Sequence, residues 1–206
     1  MTRFQGSMPI ITGFQAFGEH QYNPSWTVAE AMAEQLGVQP RLLPVTYTMA
    51  SQFAAAHLKA AHPENLFFIH FGLSADRGVL SFECLAKNER DCLPDNLECT
   101  LPISTQKSAR ALLPEGRVDY QIGESLRGLV EIYEKNRPQE LPQGVLSQDC
   151  GTYVCNALLY HSLRACEDAR KEGQTSKALF IHVPAMNKEL ARSVGIYMAK
   201  VFSLAE

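Results

Sequence analysis

The hydrophobic pattern of the chain alternates between short, continuous apolar runs and longer segments in which apolar residues recur at helical spacing. Continuous apolar runs of about four to eight residues are typical of strands buried in a parallel sheet, whereas helical spacing indicates a helix with one buried face. The predicted strands are Pro9–Thr12, Arg41–Tyr47, Leu66–Phe71, Val79–Ala86, Gly144–Ser147 and Ala178–Val183. The predicted helices are Ser25–Leu36, Met49–His62, Gly123–Arg137, Gly151–Arg170 and Lys188–Leu204.

This alternation predicts an α/β protein, a single-domain α/β/α sandwich with a largely parallel central sheet. The chain has 206 residues, which is enough for one sizeable core and does not require two domains. Because no linker-like segment interrupts the pattern, we expect residues 1–206 to form one domain. The stretch from Leu97 to Tyr120 is the poorly patterned part of the chain.

Composition and charge exclude several classes of function. Hydrophobic residues make up 46% of the chain, charged residues 20%, and the net charge is -3. The charges are dispersed without a basic stripe, so nucleic-acid binding is disfavoured. No apolar run reaches membrane length, and the polar start Met1–Gly6 lacks the apolar core of a signal peptide. We therefore expect a cytoplasmic protein that binds neither nucleic acid nor membrane.

Cysteine usage indicates free thiols. The six cysteines are Cys84, Cys92, Cys99, Cys150, Cys155 and Cys166. In a cytoplasmic chain such thiols stay reduced. Their spacing lacks the two-residue gaps that are typical of zinc sites, and no histidine pair lies nearby at ligand spacing. The sequence therefore predicts neither a metal nor another cofactor.

Cys155 is the most informative residue of the chain. It lies between the apolar strand Gly144–Ser147 and an apolar helical pattern, so its thiol is predicted on the first turn of a helix. Unpaired N–H groups and the helix dipole favour thiolate there and can hold an oxyanion. The alternative is that Cys155 is a small buried hydrophobic residue, which is common for cysteine.

A cysteine nucleophile requires a base and a group that orients the base. His182 is a candidate base because its polar ring lies near the end of an apolar strand, although a core histidine bonded to backbone would look the same. Glu83 is a candidate orienting group because a carboxylate inside an apolar strand is costly without a partner. An ion pair with any Lys or Arg would also satisfy Glu83.

Four separated blocks of sequence carry a resemblance to a known family. They are Thr12–Gly18 with Asn23–Trp26; His70–Leu73 with Glu83, Asn88 and Leu93–Asn96; Asp149–Asn156; and Phe180–Pro184. In these blocks, and in their order, the chain resembles pyroglutamyl peptidase I, also called pyrrolidone-carboxylate peptidase. The resemblance implies a cytosolic cysteine exopeptidase that removes an N-terminal pyroglutamyl residue through a thioester intermediate. It also implies that Cys155 is the nucleophile, His182 the base and Glu83 the orienting acid.

The resemblance also implies a substrate pocket. The residues expected to bind substrate are Phe14, Phe17, Leu73, Leu93, Tyr153 and Val154. A pyroglutamyl lactam is flat, neutral and mostly apolar, so aromatic faces suit it. The expected partners are pyroglutamyl peptides and further copies of this chain, since relatives commonly form homotetramers.

The chain departs from the family pattern at two places. Cys150 replaces an alanine that usually follows the aspartate of the third block, and Cys92 lies where many bacterial relatives carry an arginine that assists the oxyanion hole. Arg90 is a candidate substitute, and the segment Leu97 to Asp119 does not align with the family's acidic stretch. Two alternatives stay open: a related cysteine amidase acting on another small cyclic amide, and a catalytically inert binding relative.

Overall fold

The computed structural model describes residues 6–97 and 110–205. The strands are β1 (Met8–Phe14), β2 (Arg41–Leu43), β3 (Leu66–Leu73), β4 (Leu80–Glu83), β5 (Leu85–Lys87), β6 (Asp119–Gln121), β7 (Gly144–Ser147) and β8 (Lys177–Val183). The helices are α1 (Pro24–Leu36), α2 (Tyr47–Ala61), α3 (Gly123–Lys135), α4 (Val154–Lys171) and α5 (Lys188–Leu204).

Six strands form the central sheet in the order β2-β1-β3-β8-β4-β7. The strands β2, β1, β3 and β8 are mutually parallel. Strand β4 pairs antiparallel with β8, and β7 pairs parallel with β4. The carboxyl ends of β1, β3 and β8 therefore lie at one edge of the sheet, which is the usual place for ligands in such folds.

Helices cover both faces of the sheet. One core packs α1, α3 and α5 against one face, and it includes Ile11, Phe82 and Ile181. The other face packs against α2 and α4, with Phe14 and Phe180 among the buried residues. Because side chains alternate across a strand, each buried strand supplies apolar residues to both cores. This architecture confirms the predicted α/β/α sandwich with a largely parallel sheet.

The strand predicted over Arg41–Tyr47 is shorter in the structure and ends at Leu43. Tyr47 instead begins α2, because the Thr46 side chain accepts a hydrogen bond from the backbone N–H of Met49 at 3.2 Å. The helix predicted from Gly151 begins later, at Val154. Gly151 has φ of 74°, a left-handed conformation that a helix cannot contain.

The strand predicted over Val79–Ala86 divides at Cys84 into β4 and β5. The Cys84 N–H donates to the carbonyl of Ser147 at 2.7 Å, and its own carbonyl accepts from the N–H of Ile122 at 2.8 Å. The chain thereby leaves the main sheet, and β5 pairs antiparallel with β6 in a separate two-stranded sheet. Residues 98–109 of the poorly patterned segment lie outside the described residues.

Within the described part of the chain, none of the helices combines the length and apolar character needed to span a membrane. Five cysteines carry free thiols: Cys84, Cys92, Cys150, Cys155 and Cys166. Cys99 lies outside the described residues.

The contact between α1 and α5 depends on a glycine and generates a stability prediction. A Cβ atom at Gly195 would lie 2.4 Å from the carbonyl oxygen of Val28 and 2.7 Å from the Cβ of Ala31. We expect Gly195→Ala to lower the free energy of unfolding by about 1–3 kcal/mol, because the two helices must move apart. Thermal unfolding followed by circular dichroism measures the change.

Gly128 in α3 is the matched control, because a Cβ there meets no atom within 4 Å. Gly128→Ala should raise stability by about 0.5–1 kcal/mol through the better helix propensity of alanine. A Gly195→Ala protein as stable as Gly128→Ala would contradict the close contact between the helices.

Candidate active site

Glu83 and His182 form a buried pair across β4 and β8. Ser81 lies opposite His182 in the antiparallel register, so Glu83, two residues further on, projects from the same face. His182 Nδ1 lies 2.7 Å from Glu83 Oε1. The two residues are 5% and 0% exposed, which means that the pair is screened from water. A proton on Nδ1 satisfies this contact and leaves the Nε2 lone pair to act as a base.

A second buried histidine shows what a structural histidine looks like in this fold. His70 Nδ1 lies 2.8 Å from Thr12 Oγ1, and its Nε2 lies 3.1 Å from Ser162 Oγ. Burial, together with the nearby His57, lowers the pKa of His70 to about 3. Both ring nitrogens of His70 are therefore occupied, whereas only Nδ1 of His182 is hydrogen-bonded among the described residues.

Cys155 is the second residue of α4, as its position after β7 predicted. Its sulfur lies directly above Gly72 on β3, because a Cβ built at Gly72 would be 3.0 Å from Sγ. Gly72 is the register partner of His182 on the adjacent parallel strand. Registered residues of neighbouring strands project from the same face, so the thiol and the imidazole lie on one side of the sheet. The structure thus places Glu83, His182 and Cys155 on one face of the sheet.

The protonation state of Cys155 differs from the sequence prediction. Burial and the Glu83 carboxylate raise the pKa of the Cys155 thiol to about 12, while its own backbone N–H and Arg77 act in the opposite direction. The helix start thus lowers the pKa as expected, but the loss of hydration is the larger effect. The resting residue is a neutral thiol, which needs a base to become a nucleophile.

Cys150 adds a second thiol beside the buried pair. One ligand atom each from Glu83, Cys150 and His182 lie within 4.8 Å of one another, and all three residues are buried. Such a group could hold a metal ion. However, the Arg77 guanidinium already pairs with Glu83 at 2.7 Å, and burial raises the pKa of the Cys150 thiol well above its usual range. A divalent ion would have to compete with the guanidinium and ionise that thiol.

The aromatic residues predicted to bind substrate lie close to Cys155. Phe14 and Val154 are buried in the core on the α2 and α4 face, and Phe17, Tyr153 and Cys155 pack against that core. The ring centroids of Phe17 and Tyr153 are 6.4 Å apart, and those of Phe14 and Phe180 are also 6.4 Å apart. Phe17 and Tyr153 are partly exposed, so their facing rings form the accessible part of this cluster.

Leu73 and Leu93 occupy different surroundings. Leu73 ends β3 next to Gly72 and is 8% exposed, whereas Leu93 lies in the loop after β5 and is 60% exposed. Pro94, the next residue in that loop, accepts a hydrogen bond from the Tyr153 hydroxyl at 2.7 Å. The loop is therefore hydrogen-bonded to Tyr153 of the aromatic cluster, although the Leu93 side chain itself is exposed to solvent.

Arg90 packs against the aromatic cluster. Its guanidinium stacks 3.9 Å above the ring of Tyr47, and Tyr47 packs edge-on against Tyr153. The cation that acts on the Cys155 thiol is Arg77. Arg90 thus contributes to the aromatic cluster.

Several residues that hold the start of α4 were not recognised from sequence. Asn156 accepts from the Lys87 N–H at 2.8 Å and donates to the carbonyls of Lys87 and Glu89, both at 2.9 Å. Thr152 donates its hydroxyl to Asp91 at 3.0 Å. Asn156 lies within a recognised block, but only the fold reveals that it fastens α4 to the segment after β5.

Comparison with known proteins identifies the family. The family model of pyroglutamyl peptidase matches residues 8–201. The chain is 31% identical over 193 residues to a pyrrolidone-carboxylate peptidase from Pseudomonas fluorescens, covering 89% of this chain and 81% of that protein. It is 28% identical over 185 residues to one from Bacillus cytotoxicus, covering 87% and 79%.

Solved structures share the fold. The pyroglutamyl peptidase I of Bacillus amyloliquefaciens superposes with a TM-score of 0.73 at 22% identity, covering 97% of this chain and 98% of that one. The pyrrolidone carboxyl peptidase of Thermococcus litoralis also gives 0.73, at 24% identity, covering 97% and 94%. Fold and family matches together define a peptidase of the cysteine-type omega class. The chain belongs to the pyroglutamyl peptidase family.

The close approach of Cys155 to β3 generates a prediction for Gly72. A Cβ at this position would lie 2.5 Å from the Phe180 ring and 3.0 Å from the Cys155 sulfur. Gly72→Ala should displace the thiol and lower kcat by on the order of 100-fold, the effect of a misplacement of about 1 Å at a reacting group. Turnover of a fluorogenic amide measures it, with Gly128→Ala as the control. Unchanged kcat would contradict the placement of the thiol.

The raised pKa of Cys155 generates a second prediction. Because the thiol pKa is about 12, its alkylation rate by iodoacetamide should rise about tenfold per pH unit between about pH 7 and 10 without a plateau. A model thiol with a pKa near 8.5 should level off above about pH 9 in the same assay. Mass spectrometry of the labelled peptide reports the rate. A plateau at neutral pH would instead indicate a preformed thiolate.

Proposed function

We propose that this protein hydrolyses the amide bond that follows an N-terminal pyroglutamyl residue, by acyl transfer to Cys155. The observation that carries the proposal is the position of His182. Its Nδ1 is bound to a buried carboxylate at 2.7 Å, and its strand neighbour Gly72 lies under the sulfur of Cys155. This arrangement supplies a nucleophile, a base and an orienting acid on one face of the sheet.

The first step is formation of the nucleophile. His182 takes the thiol proton on Nε2 while Glu83 holds Nδ1–H and stabilises the imidazolium that results. The pKa of the Cys155 thiol is raised to about 12 in the resting protein, so proton transfer accompanies attack rather than preceding it. The sulfur attacks the pyroglutamyl carbonyl, and a tetrahedral oxyanion forms.

The start of α4 is suited to stabilise that oxyanion. Tyr153 precedes the helix, and its side chain caps none of the helix N–H groups; its hydroxyl donates to the carbonyl of Pro94. The backbone N–H of Cys155 and the positive end of the helix dipole then face the developing charge. His182 next protonates the departing amine, and a water molecule activated by the same imidazole hydrolyses the thioester.

The aromatic cluster favours a neutral, flat acyl group. In the proposed complex the lactam ring lies against Phe17 and Tyr153, with Phe14 and Val154 as the buried wall and Leu73 and Leu93 at its margins. A lactam has no α-ammonium group, so aromatic faces can bind it without burying a charge. An unblocked N-terminal Gln or Pro would bring an ammonium group into these surroundings, and its desolvation should exclude it.

A panel of fluorogenic amides tests this proposal. The protein should cleave the pyroglutamyl amide, cleave the prolyl amide very weakly, and leave the glutaminyl amide intact. The comparison is made by kcat/KM under identical conditions. Efficient release of an unblocked residue would contradict the lactam assignment and favour a broader cysteine amidase. Absence of turnover on every substrate would favour an inert binding relative.

Two cysteine variants test the nucleophile in the same assay. Cys155→Ala should abolish turnover, because no other group replaces the sulfur in the thioester. Cys150→Ala should retain it, because Cys155 and not Cys150 lies in the first turn of α4, where backbone N–H groups can hold the oxyanion. Loss of activity in Cys150→Ala alone, with both proteins folded, would move the nucleophile to Cys150.

A further inference from the structure

Arg77 is the cation that neutralises the buried acid of the site. Its Nη1 donates to Glu83 Oε1 at 2.7 Å, to the same oxygen that binds His182 Nδ1 at 2.7 Å. Glu83 is 0% exposed, and its second oxygen, Oε2, has no hydrogen-bond partner among the described residues. Both stabilising contacts of the carboxylate therefore converge on one oxygen.

The other contacts of Arg77 reach the segment that leads to Cys155. Nη1 also donates to Ser147 Oγ at 3.2 Å, and Nη2 donates to the carbonyl of Asp149. Ser147 ends β7, and Asp149 lies in the loop that continues into α4. The Arg77 guanidinium thus connects Glu83 on β4 to the loop that precedes Cys155. Its fork of fixed donors suits such a bridge, whereas a lysine ammonium is a single point of charge.

The backbone of Arg77 is itself fastened beside His182. The N–H of Arg77 donates to the carbonyl of Ser74 at 3.2 Å, which closes a turn. The N–H of Ser74 donates to the carbonyl of Val183 at 2.9 Å, next to His182 on β8. The guanidinium therefore extends from a turn that is attached to the end of the strand bearing the imidazole.

We propose that Arg77 is a positioning residue, which holds the Glu83 carboxylate against His182 and keeps the β7–α4 loop in register with that pair. The inference rests on the proposed function, since Arg77 acts through Glu83. None of its hydrogen bonds reaches the Phe17 and Tyr153 rings of the proposed pocket. Its removal should therefore lower kcat and leave KM nearly unchanged.

Arg77→Ala tests this role on the pyroglutamyl amide. We expect kcat to fall by on the order of 10- to 100-fold, the range known for removal of a group that orients a metal ligand from the outer shell. KM should stay within about threefold of the wild-type value. The Arg77 side chain is 28% exposed, so guanidinium ion at millimolar concentration should enter the space and restore much of kcat, while equal NaCl should not.

Arg192→Ala is the matched control. Arg192 forms an ion pair of the same length, 2.7 Å, with Glu34, and both side chains are more than half exposed. Its loss should change neither kcat nor KM, and guanidinium should have no effect on it. Wild-type kcat in Arg77→Ala, or a lowered kcat that guanidinium does not restore, would overturn the inference. A lower melting temperature with full kcat would also overturn it.

Two further variants keep the test decisive. If Arg77→Ala fails to fold, Arg77→Lys decides the question, because an ammonium cannot bridge Glu83 and Asp149 together; its kcat should fall several-fold at constant KM. In a Glu83→Gln background, Arg77→Ala should cost less than it does in the wild-type background, because the Arg77–Glu83 contact is already altered there. Additive losses would indicate a structural role and overturn the inference.

The outcomes separate this inference from the proposed function. Inactive wild-type protein, or active Cys155→Ala, would contradict the proposed function. Active wild-type protein and inactive Cys155→Ala, combined with normal kcat in Arg77→Lys and Arg77→Ala, would contradict the role of Arg77 alone.

Discussion

The burial of the Glu83 carboxylate is the constraint on which the site depends. An ionised carboxylate removed from water is stable only when opposite charge and hydrogen-bond donors surround it. Here the donors are His182 on β8 and Arg77 on the loop before β4. Because Arg77 also binds Ser147 and Asp149, satisfying one buried charge places three segments of the chain relative to one another. A low local dielectric strengthens each of these contacts.

The second constraint is the absence of a side chain at Gly72. A helix that packs on a sheet normally keeps its backbone away by the thickness of the intervening side chains. At Gly72 that layer is missing, and the sulfur of Cys155 occupies the space beside the Phe180 ring. Cys155 is a partly buried residue, and the loss of hydration of its thiol raises the pKa although the residue lies at a helix start. The packing of Cys155 against Gly72 thus explains why the thiol lies close to the sheet, and its loss of hydration explains why it is neutral at rest.

Much of the fold could be predicted from the chain because its signals are local. Apolar runs such as Leu66–Phe71 and Ala178–Val183 became β3 and β8, and the helical pattern after residue 186 became α5. The block around Cys155 indicated a thiol at a helix start, and α4 does begin one residue before it. The break at Cys84 was missed because it depends on hydrogen bonds to Ser147 and Ile122, which are distant in sequence.

The sequence by itself determined most of the elements, the residue types of the candidate triad and the family, but neither the break between β4 and β5 nor the strand β6. Periodicity and turn chemistry are properties of neighbouring residues, and a nucleophile, a base and an acid can be recognised by their unusual places in apolar segments. Only the tertiary structure decided the direction of β4, which determines whether Glu83 can reach His182. It also decided that His70 is a structural histidine, that Arg77 is the cation paired with Glu83, and that Gly72 leaves space for the Cys155 thiol. The contact of His70 with Thr12 joins residues 58 positions apart, and that of Glu83 with His182 joins residues 99 positions apart, so no local pattern encodes either of them.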